Sequence, residues 1–350
     1  MLNLNDREWK PFFLTELFPV IQRGKRLKSE NHIPGEMPYV SSSALCNGVD
    51  NFISNTEKVR ILSNCISLAN SGSVGSSFYE PFSFVASDHV THLKNEKYNK
   101  YHYLFIASIM NRLSQKYNFN REINDNRISR EKIMLPINIK GKLDLDFMEQ
   151  YIKERESQLI QKYKNFIGKN TQSGGGLPGL KSIKWKKFII GEIFEYFAPG
   201  KSKGLNHLTE DMLLGKSYVG ATNRNNGVLS FVQADKKLIQ NGNAIGFIKN
   251  GNGSAGYAVY KAESFVSTSD VIFAYANWLN KYIGLFITTC SDMSQEKYSH
   301  GYKWTKERLL KSGIMLPANK QGNPDYNYME QYGKQLMVQK YRQYLDYISA

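Results

Sequence analysis

Several kinds of chemistry are missing from this 350-residue chain. Its three cysteines, Cys46, Cys65 and Cys290, are isolated, which argues against a disulfide framework or a zinc site and for the reduced thiols of a cytoplasmic protein. No two of its ten prolines are adjacent, so it lacks the Asn/Asp-Pro-Pro-aromatic run that holds a flipped adenine. No apolar run reaches the ~18 residues a bilayer span needs, and Met1 to Asp6 has no signal-peptide character. One literal G-x-G-x-x-G occurs, Gly251 to Gly256, but a dinucleotide site needs a helix opening on it, and Tyr257-Ala258-Val259-Tyr260 reads as a strand. Gly174 to Leu180 has the glycines of a phosphate loop but Leu180 where lysine is needed. Asp88-His89 with His92 suggests acid–base work, yet at the matching place stands Asp270-Val271-Ile272-Phe273. The pattern is that of a binder without chemistry of its own. Acidic residues are also short, 31 against 46 Lys plus Arg, for a net charge of +15. That excess implies a polyanionic partner, nucleic acid before an anionic membrane.

What is present is a unit of about 160 residues written twice, too long for a solenoid repeat and long enough for a domain with its own core. Met134-Leu135-Pro136, Gly141 and Met148-Glu149-Gln150-Tyr151 recur 181 residues later as Met315-Leu316-Pro317, Gly322 and Met329-Glu330-Gln331-Tyr332. Trp9, Phe12 and Gly24-Lys25 recur 176 residues later as Trp185, Phe188 and Gly200-Lys201. Each copy opens with a strand and short helix, passes through β-branched and aromatic segments with Asn-Gly turns at Asn47-Gly48 and Asn226-Gly227, and reaches a helix from Tyr101 or Tyr282. Each ends in an amphipathic helix, 146–167 and 328–348, with apolar residues including Met148, Ile152 and Leu159 in one and Met329, Leu336 and Leu345 in the other. Two such helices either pair as a coiled coil or pack each on its own domain. These readings give an α+β fold: two domains, each a mixed sheet with flanking helices, joined by long antiparallel helices. The expected divisions are 1–143, helix 144–169, Gly-rich linker 170–183, domain 184–324 and helix 325–350.

Lys25, Arg26 and Lys28, with Lys201 and Lys203, follow the shared glycines and suit phosphate contact. The Gly-Ser-x-Gly turns carry Ser71 and Ser73 in one copy and Asn252 and Ser254 in the other, and read either as backbone contacts to phosphate or simply as hairpins. Arg121, Asn124, Asn126 and Arg127 precede the first Met-Leu-Pro step; Tyr298, His300, Tyr302, Lys303 and Trp304 precede the second. Arg and Asn are the side chains able to bond two base atoms at once, and a solvated loop is the bland alternative.

The aromatic-led starts Glu8-Trp9-Lys10 and Lys184-Trp185-Lys186, the Gly-Ser-x-Gly hairpins, the Met-Leu-Pro exits and the long helices, in that order and twice over, resemble the specificity subunits of restriction-modification systems across nearly the whole chain. The length and the Gly-Gly-Gly-Leu-Pro-Gly-Leu linker look most like type IIB, BcgI-like systems, with type I similar but longer. The resemblance implies two target recognition domains, each reading half of a split DNA sequence, with paired helices as a ruler. It also implies that the helices dock partner subunits carrying adenine methyltransferase and nuclease activity, to which S-adenosylmethionine and Mg would belong. The second copy lacks a counterpart of Pro34-Gly35-Glu36-Met37-Pro38, so unlike half-sites are expected. A DNA- or RNA-binding scaffold is the alternative.

Overall fold

A computed structural model describes the chain except residues 119, 172–175, 212–213, 252, 294, 299–301 and 350. It forms two compact units, Met1–Lys162 and Tyr163–Ala350. The division falls inside a helix rather than at the Gly-rich linker.

The first unit begins with β1 (Glu8–Phe13), the one-turn α1 (Leu14–Leu17) and β2 (Val20–Arg23). It continues through β3 (Pro34–Val40), β4 (Val49–Ile53), β5 (Ile61–Leu62), β6 (Cys65–Ala69), β7 (Ser77–Glu80), β8 (Phe84–Ala86) and β9 (Val90–Lys94). Then come α2 (Lys100–Met110), α3 (Asp125–Ile128), β10 (Lys132–Ile137) and α4 (Leu145–Asn170). The strands form one antiparallel sheet in the order β2-β9-β6-β7, a second in the order β4-β3-β8-β5 with β3 and β8 parallel, and the ribbon β1-β10, where Trp9 pairs with Pro136. Side chains alternate along a strand, so β6 serves two cores. Ile66 and Leu68 pack toward Phe105, Ile106 and Met110 of α2 and Phe147 and Met148 of α4. Cys65 on the opposite face packs with Val40, Phe84 and Ala86 of the second sheet. Burial on both faces explains why β6 is an unbroken buried run.

The second unit repeats the plan. Its strands are β11 (Trp185–Ile189), β12 (Tyr196–Pro199), β13 (Lys216–Val219), β14 (Val228–Val232), β15 (Ala244–Ile248), β16 (Ala258–Lys261), β17 (Phe265–Ser267), β18 (Val271–Tyr275) and β19 (Gly313–Pro317). Its helices are α5 (Ile190–Ile193), α6 (Lys281–Asp292), α7 (Lys306–Lys311) and α8 (Tyr326–Ser349). The sheets run β12-β18-β15-β16 and β14-β13-β17, with the ribbon β11-β19. The Asn-Gly turns keep their backbone: Asn47 and Gly48 have φ of 52° and 79°, Asn226 and Gly227 of 51° and 78°. The left-handed region favours these residue types, which is why the signal was readable in sequence.

Met148 and Met329, expected to face a partner, are wholly buried in their own units' cores. They sit in the first turn of each long helix, where the helix docks on its own sheet layer. Farther along, the amphipathic stripe is only partly covered: Ile152 packs on the first core, while Leu159 and Leu336 are 42% and 44% exposed. Within the second unit, Tyr163 of α4 stacks on Tyr341 of α8 with centroids 4.2 Å apart, and Phe166 meets the same ring edge-on. Among the described residues no helix is long and apolar enough to cross a membrane.

Candidate nucleic-acid interface

In the sheet β2-β9-β6-β7, β2 and β6 end at the edge where β7 and β9 begin. That edge therefore gathers the segments 24–28, 70–76 and 87–89. The second sheet delivers the segment after β3 to the same place: Ser87 N–H donates to Val40 O at 3.0 Å and Ser73 N–H to Ser42 O at 3.0 Å. The loop before α3 joins them, because Ile123 N–H donates to Asn70 O at 3.0 Å. Counterparts in the second unit are 200–204, 220–226, 249–257, 268–270 and 302–308, tied by Thr268 N–H to Val219 O and by Trp304 N–H to Lys249 O at 3.0 Å.

The repeated glycines have a local cause. A Cβ on Gly24 would fall 2.2 Å from Ala86 O, and one on Gly200 would fall 1.9 Å from Thr268 O. Glycine is needed where the chain leaves β2 or β12 against another backbone, and the next residue is thrown outward. Lys25, Arg26, Lys201 and Lys203 are exposed; Lys28 is exposed as well and 3.2 Å from Glu30. Arg121 is exposed with its guanidinium 5.4 Å from the Tyr117 ring centroid, and Asn126 and Lys303 are exposed.

Other expected contacts are engaged inside the fold. Ser71 is 7% exposed with Oγ 2.7 Å from His89 Nδ1; Ser254 is 6% exposed and bonds Asn223 at 3.1 Å. These hydroxyls tie each turn to a neighbouring loop, before β9 in one unit and after β13 in the other, and so are engaged inside the fold, while Ser73 remains half-buried. Trp304, expected at the surface, is 1% exposed and donates Nε1–H to Ser312 Oγ at 2.9 Å. An aromatic in a polar stretch reads as a stacking platform, but this one is the anchor of its loop. Tyr298 is half-buried and stacks on Trp304 at 4.6 Å. Asn124 caps α3, its Oδ1 accepting Arg127 N–H at 2.9 Å, and the Arg127 guanidinium donates to Glu122 O. Asn252 and His300 lie outside the described residues.

Sequence reasoning missed Arg23 on the edge of the first unit, and Arg224, Lys249 and Arg308 on that of the second. Arg23 donates to Asp125 Oδ1 at 2.7 Å and to Ile123 O at 3.0 Å. Arg308 was findable, since it stands 181 residues after Arg127. Arg224 sits in the turn after β13 and is exposed, a position visible only once the second sheet is known. The interface in each unit is thus a basic, amide- and hydroxyl-rich edge of loops on a rigid two-sheet body. Such an edge suits phosphate contact by lysine and base reading by Arg and Asn.

Comparison with known proteins gives the family of the chain. The sequence profile of the family described as "Type I restriction modification DNA specificity domain" matches residues 6–165 and again 182–343, and the chain belongs to that family. It is 29% identical over 338 residues, 93% of each chain, to the specificity subunit S.BcgI of a type II restriction enzyme from Heyndrickxia coagulans. Among solved structures it is similar to the S subunit of a type I restriction-modification system from M. genitalium, with TM-score 0.43, 17% identity and coverage of 99% and 94%. It is also similar to the HsdS subunit of Thermoanaerobacter tengcongensis, with TM-score 0.31, 13% identity and coverage of 96% and 91%. The chain is a specificity subunit of a restriction-modification system, and its two units are DNA sequence recognition domains.

Proposed function

We propose that the chain acts in the cytoplasm as a non-catalytic reader of a bipartite, asymmetric DNA target, each unit reading one half. The observation that carries this is one frame with two faces. The glycine steps, turn backbones and loop anchors repeat, whereas the exposed residues on the frame differ: Arg121-Glu122 stand against Tyr302-Lys303, and the exposed Arg26 stands where the second unit has a buried Ser202. Equal frames with unlike faces suit unlike half-sites. Helices α4 and α8 would pair as the ruler that sets the unread spacer; the stacking of Tyr163 on Tyr341 is consistent with such pairing.

Methyltransferase and nuclease activities, with S-adenosylmethionine and Mg, would belong to partner subunits. Leu159, Leu336 and the half-buried Leu345 remain available for docking them, with Ile152 at the margin of the first core. A groove of about 310 Å³ on the second unit adds to this face; it is lined among others by Leu285, Met293, Gly333 and Leu336. The first unit carries Leu104, Arg112, Ile152 and Arg155 at the matching positions. There Arg155 lies 4.8 Å from the Tyr151 centroid and donates to Leu2 O at 3.3 Å, so the chain's own amino-terminal residues run along this part of α4. Among the described residues this groove is apolar and open on the second unit, whereas its counterpart on the first unit is covered by the amino-terminal residues.

Selection from a random duplex library, with the partner subunits present, tests the reading. Two short unlike motifs at fixed spacing support it. One continuous motif contradicts the two-reader account, and no enrichment favours the scaffold or RNA alternative.

A further inference from the structure

The loops before α3 and α7 share a frame that the repeat alone does not reveal. At the 181 offset Tyr117 matches Tyr298, Ile123 matches Trp304, Asn124 matches Thr305, Arg127 matches Arg308 and Glu131 matches Ser312. Most of these pairs change identity yet keep their work. Tyr117 hydroxyl bonds Glu131, and Tyr298 hydroxyl lies 3.0 Å from Ser312 Oγ. Ile123 and Trp304 are buried and donate their N–H groups to the carbonyl of the first residue after β6 or β15, Asn70 or Lys249. Asn124 and Thr305 each accept the backbone N–H three residues on.

Arg127 and Arg308 keep identity as well as work. Arg127 Nη1 donates to Glu122 O, and Arg308 Nη1 donates to Lys303 O at 2.8 Å. Each guanidinium thus grips the carbonyl five residues earlier, within the stretch in which the copies diverge. In the second unit the same guanidinium also lies 3.9 Å from the Tyr302 centroid. A charged donor on a main-chain carbonyl is a strong hydrogen bond, and cation–π contact adds to it. An invariant residue gripping backbone cannot itself distinguish two half-sites; the residues it holds can.

We propose that Arg127 and Arg308 are positioning residues, each fixing the backbone of one divergent loop so that Arg121-Glu122 or Tyr302-Lys303 meets the bases in one geometry. The inference rests on the DNA-reading function above. It replaces the simpler expectation that Arg127 reads a guanine directly.

The test uses the full-length chain and its Arg127→Ala, Arg308→Ala and Tyr302→Ala variants, with two readouts. Amide hydrogen exchange, which needs no DNA, should rise about tenfold in the loop before α3 for Arg127→Ala while β6 stays unchanged. Duplex selection with the partners present should show preference lost at several adjacent positions of one half-site, the other intact, and the slope of affinity against salt unaltered. Tyr302→Ala, which removes the ring beneath the guanidinium but leaves its bond to the Lys303 carbonyl, should raise exchange in the loop before α7 less than Arg308→Ala does. Loss at a single base pair with unchanged loop exchange would make the arginine a direct reader and overturn the proposal. A salt slope reduced by about one would make it a phosphate contact, with the same consequence. A wild-type chain that selects normally beside an unaltered variant would overturn this inference alone, whereas a wild-type chain that selects nothing would overturn the DNA-reading function and this inference with it.

Discussion

Glu80 and Lys261 occupy the same place in the two copies with opposite charge. Each is the last residue of its edge strand, opposite Cys65 in one unit and Ala244 in the other. The tyrosine before each donates to a matched asparagine with positive φ, Tyr79 to Asn64 at 2.9 Å and Tyr260 to Asn243 at 2.8 Å. Glu80 is 0% exposed and Lys261 1% exposed. The units share backbone and packing, but the polar groups sealed inside them are solved separately.

Glu80 makes the first unit pH-sensitive. Burial pushes its carboxyl up to about 7, against a smaller lowering by the Ser67 hydroxyl 2.8 Å away. Its folded value lies above the unfolded one, so the folded state holds the proton more tightly. Stability is then highest in acid, falls as pH rises from about 4.5 to about 7 and levels off above. Glu80→Gln should abolish that fall and stabilise the chain at pH 8 by on the order of 2–3 kcal/mol. Urea melts of both proteins at pH 5 and pH 8 measure it; identical pH dependence would refute the assignment.

Lys261 is held differently, by Glu263 Oε1 at 2.8 Å, with Glu263 about half exposed. Glu263→Gln should cost about 1–2 kcal/mol by leaving a buried ammonium poorly partnered, the half-exposed position lessening the penalty. Lys261→Met, which keeps the stem and removes the charge, should be near neutral. Denaturant melts that rank the two variants in the opposite order would show that the ion pair does not set this edge.

Trp304→Ala should destabilise the second unit by about 3–5 kcal/mol, as expected for removing a buried tryptophan. Its effect on DNA should follow from unfolding. A variant that melts like wild type yet loses sequence preference would return Trp304 to the reading surface.

Lys25→Ala and Lys201→Ala should weaken binding about equally for all sequences and lower the salt slope by ~0.9 each, as phosphate contacts do. Titrations at several salt concentrations with matched and scrambled duplexes measure this. Loss confined to matched duplexes would make either lysine a base reader.

The repeat, the strand-then-helix starts and both long helices were legible because hydrophobic period and turn chemistry are local signals. Gly24 and Gly200 were legible as shared residues, but not why: their reason is a backbone from the other sheet. Met148 and Met329 looked available for the same reason, since an apolar stripe does not say which part of it the chain covers itself. Trp304 and Ser71 misled because residue type does not report burial. The frame linking Ile123 to Trp304 was hidden by chemistry that changes while geometry stays.

The most direct test of the central account is to replace 8–137 by 185–317, placing the second reader at both positions, and to repeat the duplex selection with the partners present. The account predicts that the selected duplexes carry the second unit's motif twice, at the wild-type separation, with the first unit's motif gone. Retention of the original pair of motifs in the folded hybrid, or enrichment of one continuous motif, would contradict the claim that each unit independently reads one half of the target.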